Sequence, residues 1–175
     1  MVEGTLQLNY GKVNLHSMFD RLRQFIELRS QLKHLALTVR LDGPVPPWVR
    51  ADKRRLMQVL LNLAHNAIKY TFNGEVKIVG KMKDDSRFVV EISDTGLGID
   101  PGLLDRIFSM FGLIDKKVRS HETGIGIGLY LCKRIVDTME GTISIDSVQG
   151  RGTKCTVEIP TPPIVPAPST CPVCF

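Results

Sequence analysis

QVLLNLAHNAIKYT, residues 58–71, is the stretch on which the reading of this chain turns. Val59, Leu60, Leu63 and Ala67 recur at the three- and four-residue steps of an amphipathic helix, so one face is built for burial. Asn62, Asn66 and Lys69 recur at steps of four and three along a neighbouring stripe, with Tyr70 beside them. Two amides and an ammonium contribute nothing to an apolar core. A stripe of this kind needs a partner outside the helix.

The helix lies in a chain of 175 residues, enough for one domain with a real core and little more. Hydrophobic residues make up 43% and charged residues 23%, with a mean hydropathy of +0.02, the balance of a soluble globular chain. No apolar run approaches the roughly 20 residues that span a bilayer and no signal peptide is visible, so we expect no membrane contact and a cytoplasmic setting. The net charge of +5 is spread in short groups such as Lys53-Arg54-Arg55 with acids between, which describes a solvated surface rather than a nucleic-acid footprint. Cys132 and Cys155 fall in apolar segments, so a disulfide framework is not expected. Cys171-Pro-Val-Cys174 has the spacing of half a zinc site with no second pair to complete it.

Along the chain, LQLNY (6–10) and LALTVRL (35–41) read as strands around a helical pattern from about Leu15 to Leu32. After GPVPPW a long helix is expected from Asp52, a suitable N-cap, to Tyr70, ended by Asn73-Gly74. EVKIVGKM (75–82) and RFVVEIS (87–93) read as an antiparallel pair turned at Lys83–Ser86. A short helix is expected after Pro101, then a charged, aperiodic loop over 110–122 that we expect to be mobile. GIGIGLYLCKRIVDTM (124–139) opens another helix, and TISIDS (142–147) with TKCTVEIP (153–160) forms a closing hairpin turned at Gly150–Gly152. The proline-rich residues 161–175 read as an extended linker or disordered tail.

Two glycine turns bracket the aperiodic loop: Asp94-Thr95-Gly96-Leu97-Gly98 and Gly124-Ile125-Gly126-Ile127-Gly128. The second runs directly into a helix, where free backbone N–H groups and the positive end of the helix dipole favour phosphate. Neither has the G-x-x-x-x-G-K-S/T spacing of a P-loop or the G-x-G-x-x-G spacing of a dinucleotide fold. Taken singly, each is equally a plain tight turn.

Taken in order, NLAHNAIKY, DTGLGI, IFSMF, GIGIGL and GRGT resemble the motifs of the ATP-binding catalytic domain of sensor histidine kinases, in the GHKL ATPase superfamily. The resemblance covers about residues 6–160. It implies an α/β sandwich of the Bergerat type, two layers with helices on one face of a mixed sheet. Residues 1–15 match the segment that follows a dimerisation hairpin and joins the first strand, and 6–160 match the ATP-binding domain.

The resemblance implies ATP and Mg²⁺ as cofactors and a role for each matching residue. Asn66 is the metal ligand, a neutral oxygen suited to a hard cation already shared with phosphates. Lys69 meets a phosphate, and Tyr70 packs near adenine. Asp94 accepts a hydrogen bond from the adenine amine, which guanine does not offer. Gly96, Gly98 and Ile99 approach the base, Phe111 belongs to the loop that covers it, and Thr153 supports Asp94. Gly124, Ile125, Gly126, Ile127, Gly128 and Leu129 wrap the phosphates.

Asn62 and Lys69 are the candidate catalytic residues. Hydrolytic relatives usually place a glutamate where Asn62 stands; an amide cannot take a proton from water, so transfer to another acceptor is expected over hydrolysis. The family's acceptor is a histidine on a separate hairpin, relayed to a response-regulator receiver domain. His16, His34 and His65 lack the acidic neighbour of such an acceptor, and His121-Glu122 lies in the wrong element. The chain therefore reads as a catalytic half without its substrate histidine, monomeric in isolation. An ATP-binding pseudokinase and a GHKL-type hydrolase are the alternatives. Three positions depart from the common pattern: Ile125 replaces a frequent threonine, Met110-Phe111-Gly112-Leu113 lacks an arginine, and Cys155 replaces a frequent phenylalanine.

Overall fold

Asn14 starts the first helix. Its side chain accepts the backbone N–H of Ser17 at 2.9 Å, meeting one of the donors that a first turn leaves open, and α1 (Leu15–Leu32) follows as expected. In the computed structural model, which describes residues 6–109, 127–162 and 164, α1 buries Leu15, Met18, Phe19, Leu22 and Ile26 at helical spacing. Asp52 caps α2 (Lys53–Tyr70) by accepting Arg55 N–H at 2.9 Å, again as the sequence predicts. Leu56, Val59, Leu60, Leu63, Ala64, Ala67 and Ile68 of α2 are buried. Each Leu, Val or Ile so placed contributes roughly 1.5–3 kcal/mol, which anchors the helix and leaves the Asn62–Asn66–Lys69 stripe free to face elsewhere.

The helices cover a five-stranded sheet made of β2 (Ala36–Asp42), β4 (Glu75–Asp84), β5 (Arg87–Asp94), β6 (Thr142–Val148) and β7 (Gly152–Pro160), in the order β2-β4-β5-β7-β6. The β2–β4 pair is parallel and the rest are antiparallel, so the sheet is mixed. β1 (Gly11–Val13) and β3 (Val49–Ala51) form a separate antiparallel ribbon. α3 (Pro101–Leu104) is a single turn, and α4 (Ile127–Thr138) packs beside α2 and over β6.

Strand periodicity shows that the helices lie on one face. Val76 and Ile78, Phe88, Val90 and Ile92, and Cys155, Val157 and Ile159 point into the core, while Lys77, Lys81, Glu91 and Lys154 face out. On the outer face Glu91 bridges Lys81 and Lys154, and Glu158 bridges Lys83 and Arg87 across strands. On the inner face Phe19 of α1 meets Phe88 edge-on at 5.9 Å, directly over Gly80, where a Cβ would lie 2.5 Å from the Phe19 ring. The two-layer architecture expected from sequence is the one observed.

Some boundaries differ. Residues 6–10, expected as a strand, make no ladder; pairing begins at Gly11 because β3 offers only three residues and the Asn9 N–H is taken by the Asp52 carboxylate at 2.7 Å. The strands at 75–82 and 87–93 run slightly longer, and their turn tightens to Asp85-Ser86, held by Ser86 N–H on Asp84 at 2.8 Å. The expected helix at 124–139 is described from Ile127; Gly124, Ile125 and Gly126, like the expected loop over 110–122 with Phe111 and His121, lie outside the described residues. The hydrogen bonds of the fold also run past Pro160, where the sequence reading ends the domain. Thr161 is buried and donates its N–H to Ser86 O, the Pro162 carbonyl accepts from Arg50, and Ile164 donates to Trp48 O.

Candidate nucleotide-binding site

Asp94 ends β5 beside the first glycine turn. Its carboxylate accepts the Gly96 N–H at 2.8 Å, and it pairs in register with Thr153 at the start of β7. Burial pushes its pKa above the ordinary carboxylate value, while the nearby backbone N–H groups of Gly96 and Thr153 act the other way without cancelling it. The result is a half-buried acceptor at the mouth of a hollow of about 240 Å³ lined also by Ser93, Ser147, Val148 and Gly152.

The glycine turn is pressed between two elements. On one side the Leu97 N–H donates to the Tyr70 carbonyl at 3.1 Å, and a Cβ on Gly96 would stand 2.4 Å from that same oxygen. On the other side the Gly150 N–H donates to the Leu97 carbonyl at 2.7 Å. Gly98 adopts φ +64° with its Cα against the Val148 carbonyl, where a Cβ would come within 2.1 Å, so both conformation and space require glycine. The Ile99 N–H donates to the Ser147 hydroxyl at 2.8 Å, and that hydroxyl lies 2.9 Å from the Thr153 hydroxyl.

The polar stripe on α2 runs from the first glycine turn toward Gly128 of α4. At its C-terminal end Tyr70 is exposed, the Lys69 ammonium lies 5.1 Å from the Tyr70 ring, and the Tyr70 carbonyl holds the first turn. At its other end Asn62 meets α4: a Cβ on Gly128 would stand 2.7 Å from the Asn62 amide nitrogen and 2.8 Å from its oxygen. Asn62, Asn66 and Lys69 are all half-buried. At about 1.5 Å per residue the stripe extends roughly 12 Å, with the Asp94 acceptor at one end and a helix N-terminal region at the other. Leu129 packs against the core, one residue beyond Gly128.

Among the described residues no cluster of three His, Cys, Asp or Glu side chains could hold a metal by itself. The neutral amide oxygens of Asn62 and Asn66 fit a hard cation only in company with phosphate oxygens. His65 sits half-buried with its pKa lowered by burial and by Arg29, and His34 is exposed. Cys132 and Cys155 are buried free thiols, as expected.

A family model described as "Histidine kinase-, DNA gyrase B-, and HSP90-like ATPase" matches residues 51–163. The chain belongs to this ATPase family. It is 33% identical over 160 residues to the aerobic respiration control sensor protein ArcB of Escherichia coli (strain K12), covering 91% of the chain and 21% of ArcB. The chain thus spans about a fifth of the length of the curated relatives it matches. Full-length ShkA, solved in complex with AMPPNP, superposes with a TM-score of 0.82 at 27% identity, covering 93% of this chain and 33% of ShkA. The catalytic domain of histidine kinase ThkA, nucleotide free, superposes with a TM-score of 0.74 at 27% identity, covering 89% of this chain and all of that one. The fold is that of histidine kinase catalytic domains.

Within this ATPase domain, the structure brings together Asp94, Gly96, Gly98, Ile99, Thr153 and Tyr70 at one end of the α2 stripe, and Asn62 and Gly128 at the other. Phe111, Gly124, Ile125 and Gly126 lie outside the described residues, and of Ile127 only its place at the start of α4 is described. Sequence reasoning missed Ser147, which ties Ile99 to Thr153. Its signal was present: Ile143 and Ile145 set the inward face of β6, and Ser147 is the next residue on it. Lys33 was missed too. Its ammonium donates to the Ile68 and Lys69 carbonyls at 2.8 Å and to Thr71 O at 3.0 Å, holding the end of α2 beside the site.

Proposed function

We propose that this chain is the Mg·ATP-binding catalytic domain of a two-component sensor histidine kinase. It transfers the γ-phosphoryl group to a histidine on a separate dimerisation hairpin, from which a receiver domain takes it. The observation that carries this reading is the pair of glycine contacts on α2. Gly96 lies against the Tyr70 carbonyl and Gly128 against the Asn62 amide, so one polar stripe links a base acceptor to a phosphate-binding helix end.

In this reading Asp94 accepts from the exocyclic amine of adenine and selects ATP over GTP. Thr153 and Ser147 hold the strand ends around it, and Tyr70 covers the base beside Gly98 and Ile99. Lys69 meets a phosphate as a point charge, and Asn66 offers an oxygen ligand for Mg²⁺. Bound with the triphosphate, Mg²⁺ supplies charge neutralisation during transfer. Gly124–Leu129 wrap the phosphates. Asn62 cannot act as a general base, so the domain positions the γ-phosphoryl group for an imidazole rather than activating water.

None of the described helices is long and apolar enough to cross a membrane. In this reading the domain lies on the cytosolic side of a larger kinase, as a monomeric unit tethered to its hairpin by residues 1–15. ATP and GTP titrations, then incubation with a separately made histidine hairpin and γ-labelled ATP, test the reading. ATP selectivity and acid-labile label on the hairpin are expected. Rapid phosphate release by the isolated chain, with no labelled histidine, overturns it in favour of a hydrolase.

A further inference from the structure

Asn62 has an asymmetric environment that the transfer reading does not use. Its Nδ2 donates to the sulfur of Cys132 at 3.1 Å, and Cys132 projects from α4 one turn after Gly128, 1% exposed and beneath the half-buried amide. The same thiol lies 3.9 Å from the carbonyl oxygen of Val59, to which it donates. A carbonyl can only accept and a thiol has one proton, so with that proton directed at Val59 the sulfur is left to accept. Of the two ends of the Asn62 amide, only the nitrogen can serve it.

The polarity of the relay therefore runs Asn62 N–H to Cys132 S–H to Val59 C=O. The two ends of an amide have nearly the same shape, and without a directional partner either can face a given neighbour. Gly128 supports the arrangement by leaving room for the amide plane, since any Cβ there would collide with both its polar atoms.

We propose that Cys132 is a positioning residue for Asn62, fixing its amide with the nitrogen toward the core and the oxygen toward the cleft. This rests on the reading that the cleft beside Asn62 receives the metal-bound phosphates. An oxygen turned outward is a ligand for a cation or its water shell; a nitrogen turned outward would instead bind phosphate oxygens directly and leave the cation short of a ligand. The side chain at 132 thus decides which face of an unchanged Asn62 the nucleotide meets.

The test compares Cys132→Ser, which keeps a one-proton donor and acceptor, with Cys132→Ala, which removes both. Two readouts are taken on the 175-residue chain. One is hydrogen exchange of the Asn62 side-chain amide protons by ¹⁵N NMR, assigned by their loss in Asn62→Asp. The other is the ratio of ATP to ADP affinity at saturating Mg²⁺, beside ADP affinity without Mg²⁺. In the serine variant we expect retained amide protection and an ATP preference close to that of the wild type. In the alanine variant we expect lost protection and an ATP preference reduced about tenfold, the equivalent of one hydrogen bond or ligand contact to a charged group, with Mg²⁺-free ADP affinity unchanged.

Full protection and preference in the alanine variant would overturn the role. So would equal losses in serine and alanine that follow their melting temperatures, which is the signature of packing alone. A wild-type chain with no Mg²⁺-dependent preference for ATP overturns the nucleotide reading itself. That outcome is distinct, because failure of the Cys132 role leaves the wild-type preference intact.

Discussion

Gly152 crosses Asp94 so closely that a Cβ on it would stand 2.0 Å from the Asp94 carbonyl oxygen, with φ at +125°. Backbone and space both exclude a side chain. Gly152→Ala should therefore destabilise the chain by about 2 kcal/mol or more, and should weaken nucleotide binding by displacing the end of β5. Gly150 has φ +79° and nothing within 4 Å of a built Cβ, so Gly150→Ala should cost only about 1–2 kcal/mol of backbone strain. Urea unfolding of the two variants checks this; equal costs would contradict it.

The burial of Asp94 comes at the expense of stability. Burial raises its folded pKa above the unfolded value, so the folded state holds the proton more tightly and stability falls as pH rises through the interval between those values. Below the unfolded value the penalty vanishes, and above the folded value it is constant. Asp94→Asn should remove this dependence: its melting temperature relative to wild type should rise as pH climbs from about 4 toward neutral. The same variant should bind ATP at least tenfold more weakly, about 1.4 kcal/mol, because it offers the adenine amine the wrong polarity. Wild-type affinities equal for ATP and GTP would refute the assignment.

Lys33 joins α1 to the last turn of α2 through three carbonyl contacts and lies 5.0 Å from the Phe72 ring. Lys33→Met keeps most of the stem but removes the charge from the negative end of the helix dipole. It should cost about 1–2 kcal/mol. We expect faster hydrogen exchange at the α2 C-terminus and at Leu97, whose N–H depends on the Tyr70 carbonyl. No change at Leu97 would show that the turn is held without it.

The two asparagines of the stripe should respond differently to replacement. Asn66→Ala should abolish Mg²⁺-dependent transfer while leaving part of the Mg²⁺-free ADP binding, since Asp94 and the first glycine turn are untouched. Asn62→Glu puts a carboxylate against Gly128 and Cys132, where it either activates water or repels phosphate. Isothermal titration and phosphate-release assays distinguish the variants. An Asn62→Glu chain identical to wild type in both would count against Asn62 facing the phosphates.

The elements were legible where local chemistry was strong. Asn14 and Asp52 cap the helices that periodicity predicts at 15–32 and 52–70, and the alternation of β4, β5 and β7 gives their inward faces. The strand expected at 6–10 failed because a strand needs a partner, and β3 is too short to supply one there. Thr161 and Pro162 look like linker residues in the sequence, whereas hydrogen bonds to Ser86 and Arg50, distant along the chain, hold them.

For the site the division is similar. The order of Asn62, Asn66, Lys69, Asp94 and the glycines was sufficient to nominate a nucleotide, because those residue types are poor core material and their spacing puts them on faces and turns. What the sequence alone determined is therefore the helix stripe, the acceptor at a strand end and the family they resemble. The tertiary structure decided what each group touches. Asn62 donates to Cys132, Ile99 is tied to Thr153 through Ser147, and α2 is held at its end by Lys33. Periodicity reports which way a side chain points from its own backbone. Contacts between residues tens of positions apart depend on how helices and strands pack, and only the folded chain sets that.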